Sequence, residues 1–140
     1  MYNTILLAID SSEPSNRAAA AATELAKLSG GTVHVFHARE HQDVIGKSGG
    51  SFDVEESEEA SKLVQVQTDA LAGAGVNATS KVVHIPLGRV AHEIIDAAKA
   101  IDADTIVMGS HGRTSFGAVV MGSTAYKVLH LTDRPVLIVR

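Results

Sequence analysis

The 140-residue chain contains no cysteine. Disulfides, thiolate nucleophiles and cysteine-ligated zinc are therefore excluded. No apolar run approaches the length of a bilayer span, and no basic N-terminal region leads into an apolar one, a pattern expected of a cytoplasmic protein. There is no block of lysine and arginine either. With 12 basic and 16 acidic residues the formal net charge is −4, which argues against a nucleic-acid surface. It does not argue against a small anionic ligand, because local backbone dipoles hold one on an acidic protein as well. Internal repeats, low-complexity tracts and interdomain linkers are also missing. What remains is an ordinary globular composition, 45% hydrophobic and 20% charged, in a chain long enough as one domain to bury roughly two-thirds of its unfolded surface.

Apolar runs alternate with helical patterns along the whole length. Thr4–Ile9 reads as a strand covered on both faces. Ser12-Glu13-Pro14 supplies an N-cap candidate with proline in the first turn, and an alanine-rich helix follows to about Leu28, stopped by Gly30-Gly31. Thr32–His37 is the second strand, and Gly46–Ser51 reads as a mobile glycine- and serine-rich loop. From Val54, apolar positions from Ala60 to Ala74 recur at helical spacing, with Glu55, Glu56, Glu58 and Glu59 loading the first turns. A third strand lies within Val76–Ile85, a turn at Pro86-Leu87-Gly88, and a third helix over Arg89–Ala100. Thr105–Met108, a helix from about Ser123 and Val136–Val139 complete the series. Strand-helix-strand alternation with short connections predicts right-handed βαβ units and a parallel sheet.

The most informative stretch lies between the fourth strand and the fourth helix. Gly109-Ser110-His111-Gly112 is followed by Gly122-Ser123, in the spacing Gly-x2-Gly-x9-Gly-Ser. A strand, a glycine-punctuated loop and a serine opening a helix outline a phosphate site. Glycines admit backbone N–H groups close to an anion, and the helix start favours negative charge.

That spacing resembles the nucleotide-binding signature of the universal stress protein family, in its ATP-binding branch. The resemblance spans nearly the whole chain, from the strand ending at Asp10 to Arg134-Pro135-Val136-Leu137-Ile138-Val139. It implies a single-domain, Rossmann-like α/β fold, an open five-stranded parallel sheet in the order 3-2-1-4-5 with helices on both faces. In that order the first and fourth strands are neighbours, and ligands of open α/β sheets bind at such a switch point. Asp10 and Gly109 then face one crevice.

The resemblance implies ATP as the ligand, with Mg²⁺ or Mn²⁺ accompanying the phosphates. Gly109 and Gly112 would bring backbone near the ribose and phosphates; Gly122, Ser123 and the following Thr124 would meet the phosphates. A flexible loop ending at an N-capping Ser123 accounts for the serine alone, not for three glycines at this spacing. The aspartate matching Asp10 lies against the nucleotide, where a ribose or adenine contact, or a metal between carboxylate and phosphate, avoids repulsion. Capping of the next helix is the local alternative for Asp10. Ala38 stands where backbone groups read the adenine edge. Ala8, Ile9 and Met108, at strand ends, line the base pocket or pack in the core. Arg113 is either a phosphate donor or a solvated loop residue, and His111 packs against the ribose without the surroundings of a general base.

Three other patterns carry no chemistry. Gly46-Lys47-Ser48 resembles the end of a P-loop, but His41 stands where glycine is needed. His34 and His37 point to opposite faces of a strand, so they do not converge with His41 on a metal. Asn77-Ala78-Thr79 is a glycosylation acceptor only in a secreted protein.

No paired carboxylates, nucleophile with a base or further Walker aspartate accompany the motif, so no catalytic residue is assigned. The expected function is a nucleotide-responsive stress protein, a regulatory or sensing module with slow or no ATP hydrolysis. The alternatives are an ATP-dependent enzyme of ligase or nucleotidyl transferase type, and an interaction scaffold whose nucleotide is structural. Val136–Val139 forms an apolar sheet edge in the implied order, and the resemblance implies a homodimer through it. A covering helix or loop is the alternative.

Overall fold

The computed structural model describes residues 1–44, 50–53, 57–111 and 121–140. Along them run β1 (Thr4–Ala8), α1 (Glu13–Ser29), β2 (Thr32–Val44), β3 (Gly50–Asp53), α2 (Ser57–Gly73), β4 (Asn77–Pro86), α3 (Val90–Ala100), β5 (Thr105–Gly109), α4 (Ser123–Leu131) and β6 (Val136–Val139). Five strands are parallel, in the order β4-β2-β1-β5-β6. Counting parallel strands alone, this is the expected 3-2-1-4-5.

The local signals act as their chemistry predicts. Ser12 caps α1 by accepting from the Ser15 amide, Pro14 sits in the first turn, and Gly30 closes the helix at φ 70° with its N–H on the Ala26 carbonyl. Alternate residues of each central strand feed two cores. Ile5, Leu7, Val33 and Val35 pack against Ala18, Ala22 and Ala26 of α1 and Val64 and Leu71 of α2. Leu6, Ala8, Phe36, Ile106 and Met108 pack against Ala91, Ile94 and Ala98 of α3 and Ala125 and Val128 of α4. Continuous apolar strands thus reflect a sheet covered on both faces.

Several boundaries differ from expectation, among them Pro86, which ends β4 rather than opening the turn. The second strand was expected to end at His37, yet β2 runs on to Val44, because β4 remains paired with it as far as His41↔Pro86. On its other edge His41 also pairs with Asp53, so β3 runs antiparallel along the part of β2 that β1 leaves after Phe36. Gly50 and Ser51, expected in a loop, belong to β3; residues 45–49 of that expected loop lie outside the described residues. Helix α2 begins at Ser57, and Val54, Glu55 and Glu56 likewise lie outside.

Gly109 ends β5 where the first turn of α1 crosses it. A Cβ there would stand 2.9 Å from both the Pro14 carbonyl carbon and the Ser15 nitrogen. Those are backbone atoms, which cannot rotate away. Gly109→Ala should therefore destabilise the protein by about 1–3 kcal/mol, the usual cost of overpacking, seen as a lower urea midpoint; an unchanged midpoint would refute the packing role.

Candidate functional site

Neighbouring strands β1 and β5 feed helices to opposite faces: α1 packs in one core and α4 in the other. The chain ends of these strands therefore part, and a cleft of about 480 Å³ opens beyond them, within the range of small-ligand sites. Ala8, Ile9, Asp10, Ala38, Met108, Gly109, His111, Gly122, Ser123 and Thr124 all line it. The other two candidates, Gly112 and Arg113, lie outside the described residues.

The rim is tied together by Ser12. Its amide donates to Asp10 Oδ1 at 2.8 Å, and its hydroxyl caps α1 and donates to the His111 carbonyl at 3.3 Å. The Asp10 amide in turn donates to Ser15 Oγ at 2.9 Å. Asp10 is thus not the helix cap; Ser12 is, and the carboxylate is held by the turn it begins. One oxygen, Oδ2, has no partner among the described residues.

Across the cleft, the Ser110 amide donates to the Val139 carbonyl and the Gly122 amide to the Ser110 carbonyl, each at 2.7 Å. The second bond closes the base of the loop between β5 and α4. The N-cap of α4 is Gly122 rather than Ser123, at an ordinary φ of −62° and without a side-chain cap. Tyr126 makes the first helical bond, to the Gly122 carbonyl. The amides of Ser123, Thr124 and Ala125 therefore precede the ladder, and all three residues line the cleft. Ser110 Oγ and His111 Nδ1 are hydrogen-bonded at 2.6 Å.

The histidines separate as the strand period requires. His37 is buried and donates from Nδ1 to the Ile9 carbonyl at 2.7 Å, which fixes its tautomer and ties β1 to β2 at the cleft floor. His34 bonds Thr79 Oγ1 across the β2–β4 pair, and burial holds its imidazole below its ordinary pKa.

Several lining residues were not foreseen. Phe36, Leu87, Val90 and Ile94 give one end of the cleft apolar walls; Glu40 and Gly88 meet at its rim, where the Gly88 amide donates to Glu40 Oε2 at 2.8 Å. Lys127 lies at the other end. Helical spacing from Ser123 could have found Lys127, and strand spacing from Ala38 could have found Glu40. Gly88 needed the sheet register.

The model of the universal stress protein family matches residues 1–140. This chain belongs to that family. A relative from Thermus aquaticus, "Universal stress protein in QAH/OAS sulfhydrylase 3'region", is 36% identical, with all of both chains covered. Among solved structures, MJ0577 of Methanocaldococcus jannaschii superposes with a TM-score of 0.81 at 26% identity, covering 99% of this chain and 96% of its own. A universal stress protein of Archaeoglobus fulgidus in complex with dAMP has the same fold, at TM-score 0.70 and 23% identity over 98% of this chain and 97% of its own.

Replacing Ser12 removes a cap and the tether to His111 together. Ser12→Ala should cost about 1 kcal/mol and speed amide exchange in the first turn of α1. Unchanged exchange there would mean that the turn is held by other contacts.

Proposed function

We propose that this member of the family binds ATP in the cleft between β1 and β5, as a regulatory or sensing module of the stress response with slow or no hydrolysis. The observation that carries the reading is the order of chemistry along the strand ends. The β2 and β4 side is apolar and ends in an acceptor, Glu40; β1 presents the Asp10 carboxylate; the β5 side presents the α4 amides and Lys127. A base, a ribose with hydroxyl donors and a phosphate chain require that sequence. Neighbouring strands lie about 5 Å apart, a spacing that matches base, sugar and phosphates. The dAMP complex of the Archaeoglobus fulgidus protein supports the reading for the fold.

In this reading Gly122 leaves the start of α4 without a Cβ or a capping side chain, so that an anion takes that place. The side chain of Lys127, one turn further on, leans back toward the helix N-terminus. Gly112 and Arg113 belong to the same phosphate side through the family motif. Mg²⁺ or Mn²⁺ fits between the phosphates and Asp10, whose Oδ2 is open. Ile9, Ala8 and Met108 floor the site, and Ala38 offers its backbone to the base. The protein would act in the cytoplasm; among the described residues no helix is long and apolar enough to cross a membrane.

Calorimetry with Mg²⁺-ATP should give micromolar binding, about −8 kcal/mol. Gly122→Asp keeps a good N-cap but sets a carboxylate where the phosphates go, and should abolish that binding in a folded protein. Full binding by the variant would place the nucleotide elsewhere. Turnover well above about 1 s⁻¹ would replace the sensing module by an enzyme.

We infer also that two copies pair through β6. This strand ends the sheet and pairs only with β5 among the described residues, and its apolar Leu137 is 38% exposed. Antiparallel pairing about a two-fold axis removes the open edge. Leu137→Lys should sediment as a monomer; a persistent dimer would put the interface elsewhere.

A further inference from the structure

We propose that Glu40 selects the base of the bound nucleotide, accepting a hydrogen bond from a purine 6-amino group and rejecting a 6-oxo purine. The inference rests on the nucleotide reading above and adds to it a specificity-determining side chain.

Phe36, Ala38 and Glu40 alternate along β2 and so share the face that borders the apolar end of the cleft. Opposite them the β4–α3 turn folds back, with the Leu87 amide on the His41 carbonyl at 2.9 Å and the Gly88 amide on Glu40 Oε2 at 2.8 Å. The second bond immobilises the carboxylate. Oε2 is occupied by the turn, and Oε1 has no partner among the described residues. Glu40 is half-buried and lines the cleft, two residues beyond Ala38.

A carboxylate so held is an acceptor in a fixed place. Purines differ in what they offer it at position 6: an amino group donates, whereas an oxo group only accepts. Adenine therefore gains a charge-assisted bond. Hypoxanthine sets an oxygen lone pair against that carboxylate, a contact that forms no hydrogen bond in place of the water each group gives up. Asp10 does not serve this purpose, since it lies just beyond β1, between the base end and the phosphate end. The carboxylate of Glu40 also turns the phosphates toward α4, because the base end already carries negative charge.

The test compares ATP with ITP, which carries an oxo group at position 6 and a proton on the adjoining N1. Calorimetry on the wild type should show ATP bound more tightly than ITP by about tenfold or more, the loss expected for a charged acceptor left without its donor. Glu40→Gln keeps an oxygen for the Gly88 amide and offers the base an NH₂ group. It should melt at the wild-type temperature, bind ITP more tightly than the wild type does, and bring the ratio within about threefold. Equal binding of ATP and ITP by the wild type, or a ratio unchanged in Glu40→Gln, would overturn the role of Glu40 while leaving the nucleotide site in place. Binding of neither nucleotide would overturn the site and this inference with it. The ATP arm alone separates the two cases.

Discussion

The close approach of α1 to Gly109 sets the geometry on which the cleft depends. Two helices leave adjacent strands toward opposite faces, and the first turn of α1 has to cross the end of β5 to do so. With backbone atoms 2.9 Å from the place of an absent Cβ, glycine is the residue that permits the crossing. That contact brings Ser12 within reach of the His111 carbonyl and sets the amide that orients Asp10. A side chain at 109 would lift the helix start and displace the rim of the cleft with it. The glycine that resembles a ligand-binding feature in the sequence thus has a packing duty of its own, like the helix–strand glycine of dinucleotide folds.

A net charge of −4 is no obstacle to holding phosphates, because the relevant charges are local. Free amides at the start of α4 and the ammonium of Lys127 lie on one side of the cleft, and the carboxylates of Asp10 and Glu40 lie toward the other. Each carboxylate has one oxygen fixed by a backbone amide. Fixed acceptors read donors on a sugar or a base. They do not by themselves assemble the nucleophile and charge stabilisers that phosphoryl transfer requires, and Lys127 is the one lysine or arginine among the described residues lining the cleft.

Most of the fold was legible because its determinants are local. Thr4–Ala8 and Thr105–Gly109 are buried on both faces and read as continuous apolar runs; Ser12, Pro14 and Gly30 mark α1 without help from the rest of the chain. The extension of β2 was not legible. Ala38–Val44 is largely polar, with Arg39, Glu40, His41, Gln42 and Asp43 in sequence, and it is extended because β4 and β3 supply ladder partners on both edges. Pairing here outweighs propensity. The site divides the same way. The strand-end and glycine-motif candidates came from the family resemblance that the motif's spacing carries, whereas the meeting of Glu40 with Gly88 depends on a parallel register that no local pattern encodes.

The N-cap of α4 joins these threads. Serine, aspartate or asparagine at Gly122 would satisfy an amide of the first turn internally, and glycine forgoes that bond at a cost of only a few tenths of a kcal/mol relative to those caps. The donors are thereby left for an external acceptor, and an anion that occupies them stabilises the helix start by mass action. In the nucleotide reading, occupancy is felt first at Gly122–Ala125. From there a short helix and the turn at Thr132–Pro135 lead directly into β6, the strand at the open edge of the sheet. If the nucleotide and dimer proposals both hold, α4 and this turn would link the phosphate end of the cleft to the edge where a second copy pairs.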